Sequence, residues 1–554
     1  MKAVLQQRDS TVRRYPVLLI GTAVFGLCWA VARAAVQSIT IDEADTYLSF
    51  VATGLPFWPS SNNHVLNSWL MGLTTTVFGL SPITVRLPAL LGAAFFICAA
   101  FYLCVLITSS RLLRWALFVC LVYNPFVFDF LVAARGYSLA LAFLAWAVAI
   151  PAGLLQREAE PGTRSLLWTC AASSICAGLA FAANFSVAFA AAGLLAMISL
   201  WICRRSSRSR AFRKVQWANF LAACIIPGLL LAALLCARTI LAFPKSQLFY
   251  GAQSLGETFK SLIGPTLFEL NPHLLNSRLY AVVAPRRNLL LPVLGAALLF
   301  QLVVVYHSRR MLRGPAIAWR FQFAAVLTAG TMFALGVHWA GFHWFGLLLP
   351  KDRSGLYIVL AVTLTAGLLA AVCAPTKLGR ISQRALLVML CVMAGYFILC
   401  LRLTYFREWR YGADVNRVYT VVANYTHSSG IGDIPSHWFY AASLNFYRKL
   451  AKDETIAEFR RMTSNPIVAK VQHMSLYPDG KPLYILYYPE DQGFIEKSGL
   501  RVVYHGEISD IVVAVRPASG ESIPPAPEPI HDPVFWNRYR QSLQDLKRGS
   551  PLRE

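Results

Sequence analysis

The chain has 554 residues, of which 56% are hydrophobic and 14% are charged, and its formal net charge is +24. Soluble domains contain about 45–50% apolar and about 25% charged residues, so this composition excludes an ordinary soluble protein. Residues 404–554 carry 18 basic and 17 acidic side chains, so nearly all the excess positive charge belongs to residues 1–403. That charge does not indicate a nucleic-acid partner, because the one dense basic run, residues 204–210, is short and is explained by membrane topology.

Apolar stretches long enough to cross a bilayer recur throughout residues 1–403. A transmembrane helix needs about 20 predominantly apolar residues. Eleven stretches meet this requirement, at 15–37, 83–108, 112–130, 137–155, 166–183, 185–203, 215–237, 289–307, 321–337, 355–374 and 385–403. The first is long for the apolar region of a signal peptide, so we expect it to remain as an uncleaved helix. The sequence therefore predicts an α-helical polytopic membrane protein.

The distribution of Lys and Arg predicts the orientation of these helices. With the N-terminus in the cytoplasm, the short inner segments hold most of the positive charge, and the longer outer loops hold little of it. Because the number of predicted helices is odd, residues 404–554 then lie on the outer side, together with the loop that follows the first helix. The predicted location is the inner (plasma) membrane, with an extracytoplasmic C-terminal domain.

Two kinds of outer structure are expected. In the first outer loop, residues 42–54 and 64–79 are amphipathic or too short to span, so they are predicted to form interfacial helices. After residue 403 the composition becomes that of a soluble domain. Its predicted elements are helices near 413–428 and 440–461 and strands at Leu483–Tyr488, Arg501–Tyr504 and Ile511–Val515. We therefore predict a transmembrane domain (1–403), a small α/β domain (404–520), and a Pro-rich linker with a terminal helix (521–554).

A cluster of carboxylates opens the first outer loop. Asp42, Glu43 and Asp45 are three of only ten acidic residues in residues 1–403. Negative charge beside hydrocarbon is costly, so such a cluster at the end of a membrane helix suggests a function. The alternative interpretation is the start of a solvated loop.

Five short motifs follow one another in a defined order. They are Asp42-Glu43 with Tyr47, Asn62-Asn63-His64-Val65-Leu66, Val85-Arg86-Leu87-Pro88-Ala89-Leu90, Ala133-Ala134-Arg135-Gly136-Tyr137 and Arg353-Ser354-Gly355-Leu356-Tyr357. Their order and shared outer location resemble the C-type membrane glycosyltransferases, in particular the group of protein O-mannosyltransferases and lipid A aminoarabinose transferases. Two positions depart from that pattern: Val65 stands where the group often has Pro-Pro, and Ala133 stands where it has an acidic residue.

This resemblance implies a sugar transfer on the extracytoplasmic face. The donor would be a polyprenyl-phosphate-linked sugar, and the acceptor a lipid, a glycan or a protein. Asp42 would be the catalytic base, with Glu43 as a second candidate that could instead orient loops or a metal. Adjacent residues of a helix point about 100° apart, so the two carboxylates are not expected to act on one point.

The donor phosphate requires cationic partners. Arg135 is the first candidate because a guanidinium matches phosphate geometry, and Arg353 and Lys351 are the next. An interfacial anchor is the alternative role for Arg135. Contacts to the acceptor or to a metal are assigned to four residues, His64, Asn63, Tyr47 and Tyr137. No cofactor is specified, and a divalent metal is left open because no spacing of His, Cys or Asp defines a metal site.

Two other classes of protein compete with this interpretation. A multi-pass transporter usually carries ionisable groups at the membrane midplane and often shows repeated halves, neither of which is evident here. A non-catalytic envelope assembly protein could share the fold and these residues. The sequence leaves the sugar, the acceptor and the carrier lipid undetermined.

Overall fold

The structure is a computed structural model. It describes residues 17–157, 161–206, 214–244, 250–268, 315–372 and 376–517, with a few further positions between 295 and 303. The predicted Pro-rich linker and terminal helix at 521–554 lie outside the described residues.

The described residues of the membrane part are mainly helical. In chain order they are α1 (Val17–Val36), α2 (Ile41–Thr46), α3 (Val65–Phe78), α4 (Pro82–Ile107), α5 (Arg111–Val122), α6 (Pro125–Val132), α7 (Tyr137–Arg157), α8 (Thr163–Ala183), α9 (Ala188–Ser206), α10 (Lys214–Ala242), α11 (Leu255–Ile263), α12 (Pro315–Phe345), α13 (Leu356–Ala371) and α14 (Lys377–Leu399). Shorter π or 3₁₀ turns occupy Tyr47–Val51, Phe185–Val187, Gly264–Phe268 and Asp352–Gly355.

Nine helices in the described part of the chain are long and apolar enough to cross a membrane, and the bent pair of α5 and α6 would be a tenth if the two helices form one span. The bend of 57° lies at Asn124, whose side chain accepts hydrogen bonds from the amides of Phe126 and Val127. Pro125 lacks an N–H, so it begins a new helix and does not continue the previous one. Nine of the eleven predicted spans are thereby confirmed, the one predicted at 112–130 corresponds to the bent pair, and the protein is a multi-pass membrane protein.

The predicted span at 289–307 falls largely outside the described residues. The described segments before and after it end on opposite sides of the helix bundle. Before it, Thr239 donates to the carbonyl of Phe57 in the first outer loop, at 3.2 Å. After it, Arg320 donates to the carbonyl of Ile107 at the far end of α4, at 2.7 Å.

The C-terminal domain contains helices and one six-stranded sheet. Its elements are α15 (Val415–Ser429), β1 (Ser436–His437), α16 (Trp438–Ala451), β2 (Arg461–Thr463), α17 (Pro466–Val471), β3 (Ser475–Leu476), β4 (Leu483–Tyr487), α18 (Tyr488–Lys497), β5 (Arg501–His505) and β6 (Ile511–Val515). The strand order is β3-β2-β1-β4-β6-β5. The pairs β3–β2, β2–β1 and β1–β4 are parallel, and β6 pairs antiparallel with both β4 and β5.

This domain confirms the predicted α/β class but differs in two details. The helix predicted at 440–461 ends at Ala451, because Lys452 takes a left-handed conformation with φ of 53°. Strands β1, β2 and β3 were not predicted, since each has only two or three residues and shows no alternating pattern.

One hydrophobic core joins the C-terminal domain to the first outer loop. Ala44 and Tyr47 of the loop are buried in the same cluster as Val418, Phe446 and Ile485 of the domain. The ring centroids of Tyr47 and Phe446 lie 5.6 Å apart, edge to face. The domain therefore holds the loop that carries Asp42 in a fixed position.

Candidate active site

Asp42 and Glu43 lie in the first turn of α2. Thr40 caps this helix: its hydroxyl accepts a hydrogen bond from the amide of Glu43, and the Glu43 carboxylate accepts one from the amide of Thr40. Such a capping box satisfies two helix-terminal amides, and carboxylates in a first turn are favoured by the helix dipole. The local sequence therefore fixes the start of α2 just beyond the first membrane span.

Glu43 is fully buried and its oxygens are used by the protein itself. Arg86 donates from Nε to Oε1 at 2.9 Å and from Nη2 to Oε2 at 2.7 Å, and the amide of Ala134 donates to Oε1 at 2.8 Å. Burial alone would raise the pKa of Glu43, but the charge and hydrogen bonds of Arg86 outweigh burial and lower it. We infer that Glu43 orients the loop, which is one of the roles predicted for it.

Asp42 contacts different residues from Glu43, namely two arginines, Arg135 and Arg353, that come from distant segments of the chain. Its Oδ2 lies 3.8 Å from Nε of Arg135 and 3.3 Å from Nη1 of Arg353, and its side chain is 20% exposed. Burial would raise the pKa of Asp42, but the charges of Arg135 and Arg353 hold it below its ordinary value. Asp42 is therefore ionised at neutral pH.

Arg135 lies in the short connection between α6 and α7. It donates to the hydroxyl of Thr46 at 2.7 Å and to the side chain of Asn62, yet its Nε makes no hydrogen bond within the described residues. The next residue, Gly136, has φ of 72°, and a Cβ there would lie 2.1 Å from the carbonyl oxygen of Ala183. Only glycine fits this close approach of the connection to the last residue of α8.

A second carboxylate, Glu408, joins the cluster and was not predicted. It follows α14 and binds Nη1 of Arg353 through Oε1. Burial makes the largest contribution and raises the pKa of Glu408, and the negative charges of Asp352 and Asp42 raise it further. The positive charge of Arg353 acts in the opposite direction. A sequence signal existed, because Glu408 is the first carboxylate after the last span and stands in the charged run Arg407 to Arg410.

Lys351 stands apart from these groups. Its Nζ pairs with Oε1 of Glu257 at 2.8 Å, and both side chains are more than one-third exposed. The neighbouring Tyr250 instead contacts the cluster: its hydroxyl donates to Asp352 at 3.1 Å, and its ring lies 5.0 Å from the guanidinium of Arg353. The three predicted donor-phosphate ligands are thus divided, with Arg135 and Arg353 at Asp42 and Lys351 at Glu257.

His64 and Tyr137 lie beside one another at the edge of the cluster, with ring centroids 5.6 Å apart. The Nδ1 of His64 is buried and has no hydrogen-bonding partner among the described residues. Burial, followed by the charges of Arg135 and Arg353, lowers the pKa of His64 well below its ordinary value, so the imidazole is neutral. A neutral ring nitrogen without a partner can accept a hydrogen bond from a ligand hydroxyl.

Asn63 and Tyr47 are placed differently from His64. Asn63 donates to the carbonyls of Pro56 and Trp58, each at 2.9 Å, and accepts from Ser68 at 2.8 Å, so it holds the shape of the loop. Tyr47 packs in the core shared with the C-terminal domain. Among the described residues, no three His, Cys, Asp or Glu side chains lie close enough together to hold a metal ion.

A second buried ion cluster, formed by Asp129, Arg33 and Arg402, lies next to the segment that carries Glu408. Asp129 of α6 binds Arg33 of α1 at 2.6 Å, and it also binds Arg402, which follows α14. The amide of Arg407 donates to the same carboxylate at 2.9 Å. This triad ties three segments together immediately before Glu408 and so fixes where the chain enters the site.

The chain matches no family model and no curated protein sequence. Two solved structures of ArnT from Cupriavidus metallidurans are similar to it. The apo structure has 12% identity and a TM-score of 0.48 and covers 90% of this chain and 97% of that chain. The structure bound to undecaprenyl phosphate has 13% identity and a TM-score of 0.49 and covers 91% and 98%. ArnT is a lipid A aminoarabinose transferase, but the identity is too low for its ligand to be transferred to this chain.

Proposed function

We propose that the protein is an integral-membrane glycosyltransferase that moves a sugar from a polyprenyl-phosphate carrier to an acceptor on the extracytoplasmic face. One observation carries the proposal: Arg135 and Arg353, from separate segments, converge on a single carboxylate oxygen of Asp42 at the outer ends of the membrane helices. This arrangement supplies a base beside two phosphate ligands. The five motifs that resemble the C-type glycosyltransferases contain all three residues.

The chemistry requires a proton acceptor and a place for developing negative charge. The acceptor hydroxyl attacks the anomeric carbon, and the bond from that carbon to the phosphate oxygen breaks. The hydroxyl proton passes to Asp42, and the electron pair of the broken bond stays on the departing polyprenyl phosphate. Arg135 and Arg353 stabilise that added charge, which arises only as the reaction proceeds.

The arginines also control the strength of the base. In the structure without donor, both hold Asp42 ionised and weaken it as a proton acceptor. A bound phosphate would share these guanidinium groups and reduce the positive potential at Asp42, which raises the pKa of a carboxylate. Donor binding would therefore prepare Asp42 to accept the proton of the acceptor hydroxyl.

The proposed orientation places the N-terminus in the cytoplasm and the C-terminal domain outside. It is supported by the positive charges near the ends of α4, α5, α7 and α14 that lie opposite Asp42. A cysteine at the exposed Ser428 should react with a membrane-impermeant maleimide in cells whose outer barrier is permeabilised. A cysteine at Lys377 should react only after lysis, with the unsubstituted protein as background. The reverse pattern would contradict this orientation.

The activity itself is tested by what accumulates when the gene is deleted. Mass spectrometry of envelope lipids and glycans should show an accumulated polyprenyl-phosphate sugar and one lost modification. Restoring the wild-type gene should reverse both changes, whereas Asp42→Asn should not. An unchanged envelope, or complementation by Asp42→Asn, would favour a transporter or a non-catalytic assembly protein.

A further inference from the structure

Arg353 is held between two carboxylates, Asp42 and Glu408, that lie far apart in the sequence. Its Nη1 lies 3.3 Å from Oδ2 of Asp42 and also binds Oε1 of Glu408. The other oxygen of Glu408, Oε2, is buried and makes no hydrogen bond within the described part of the chain. A buried anionic oxygen without a donor destabilises the ionised form of its carboxylate.

The charges in this cluster already cancel before a ligand binds. The charged and titratable groups that face Glu408 are Arg353, Asp352, Asp42, Arg407, Tyr137, Tyr250 and Tyr411. With Arg135 the neighbourhood contains three arginines and three carboxylates. His64 adds no charge because its imidazole is neutral, and Asp45 is paired with Arg461 at 2.6 Å.

A bound donor would change this balance. Its phosphodiester carries one negative charge, which would make the buried cluster negative unless one carboxylate were neutralised. Uncompensated charge in a buried site is costly, and such groups change protonation instead. Asp42 is held ionised by two arginines, whereas Glu408 and Asp352 each have one buried oxygen without a hydrogen bond within the described residues. Of these two carboxylates, Glu408 is the one that forms an ion pair with Arg353, the predicted phosphate ligand.

The next inference rests on the proposed function. We propose that Glu408 takes up one proton from solvent when the donor phosphate binds, and that its neutralised carboxyl group then releases Arg353 to the phosphate. Glu408 is then a positioning residue that sets donor affinity, and it neither forms nor breaks a bond to the sugar. Burial, the largest contribution, raises the pKa of Glu408. Glu408 therefore needs a smaller change in electrostatic potential to become protonated than an exposed glutamate would. The affinity for a phosphodiester should fall as the pH rises.

The methyl ester of a short-chain polyprenyl phosphate is a suitable probe, because a phosphodiester keeps a single charge across neutral pH and cannot transfer a sugar. With purified protein, its Kd should rise by up to about tenfold per pH unit between about pH 6 and about pH 8, as linkage to one proton requires. Calorimetry in two buffers of different ionisation enthalpy should count close to one proton taken up per ligand bound. A Kd that is independent of pH, with no proton taken up, would overturn the inference.

Glu408→Gln mimics the protonated residue. At pH 8 it should bind the probe more tightly than the wild type, by about tenfold or more, and should show no pH dependence. Glu507→Gln removes an exposed carboxylate that pairs with Arg417, so it should keep the wild-type slope. A Glu408→Gln variant that retains the slope would overturn the inference; if this variant does not fold, the proton count of the wild type decides.

These outcomes separate the inference from the function on which it rests. If the wild-type protein binds the diester without taking up a proton, the inference fails and the proposed function stands. If it does not bind the diester at any pH, both fail.

Discussion

Asp42 and Glu43 are neighbours in the chain, but their ion pairs differ in kind. Glu43 meets Arg86 through two hydrogen bonds of 2.9 and 2.7 Å, and both side chains are completely buried. Asp42 meets two arginines at 3.3 and 3.8 Å through one oxygen, and its side chain is 20% exposed. Around Asp42, several buried polar atoms lack a hydrogen bond within the described residues, among them Nε of Arg135, Oε2 of Glu408, Oδ1 of Asp352 and Nδ1 of His64.

The difference separates a structural ion pair from a site that can still bind something. The oxygens of Glu43 and the guanidinium of Arg86 have protein partners in good geometry, so a ligand would gain little by approaching them. The cluster at Asp42 holds charges and orphan polar atoms that its own residues do not satisfy. Native proteins rarely leave buried polar atoms without partners, so such a concentration favours a ligand site.

Breaking the structural pair should have the largest effect on folding. Arg86→Met keeps much of the side-chain volume but leaves Glu43 buried without its cation, so the free energy of unfolding should fall by about 3–5 kcal/mol. Arg417→Met is the matched control, because Arg417 pairs with Glu507 at the surface. Thermal unfolding in detergent measures both variants. Equal stability of the two would mean that Arg86 is not structural.

Removing Arg135 should change the kinetic constants for the donor more than those for the acceptor. Arg135→Ala should raise the KM for a short-chain polyprenyl-phosphate sugar by roughly ten- to a hundredfold, the value of a hydrogen bond to a charged group. Arg135→Lys should restore only part of the loss, because an ammonium lacks the planar fork of a guanidinium. Asn62→Ala removes a partner of Arg135 without removing the charge, so its KM should change much less. Unchanged donor kinetics in Arg135→Ala would reduce Arg135 to an interfacial anchor.

Breaking the exposed ion pair between Asp45 and Arg461 should have the smallest effect on stability and turnover. It joins the first outer loop to β2 of the C-terminal domain, but both side chains are partly exposed and screened by solvent. Asp45→Asn should change the free energy of unfolding by at most about 1 kcal/mol and leave turnover nearly unchanged. A large loss of activity would show that this ion pair, and not the shared hydrophobic core, positions Asp42.

The membrane helices and part of the site were predictable for a simple physical reason. A membrane span must be about 20 residues long and apolar, so its signal is local and strong. The order of the motifs and their predicted outer location led to the prediction that Asp42, Arg135 and Arg353 share one site. In the structure, Arg353 and Arg135 lie 3.3 and 3.8 Å from Asp42, and the roles of the three residues stay predictions.

The remaining contacts depend on segments far apart in sequence. Glu408 lies more than 360 residues from Asp42, and although it is the first carboxylate after the last predicted span, nothing local indicates that it faces Asp42. The identity of the carboxylate that pairs with Arg86 and the separation of Lys351 from the cluster were equally inaccessible, because both depend on how helices and loops pack. The strands β1 and β3 have two residues each, too few to show a period.

The most direct test compares Asp42→Asn with Glu43→Gln in the same assay, with turnover and thermal stability measured on purified protein. A positioned base contributes about 10²–10⁴-fold to rate, so Asp42→Asn should lose that much turnover while keeping wild-type stability and donor binding. Glu43→Gln should instead lose stability and retain the turnover of whatever protein remains folded. Wild-type turnover in Asp42→Asn, with a folded but inactive Glu43→Gln, would contradict the assignment of Asp42 as the base.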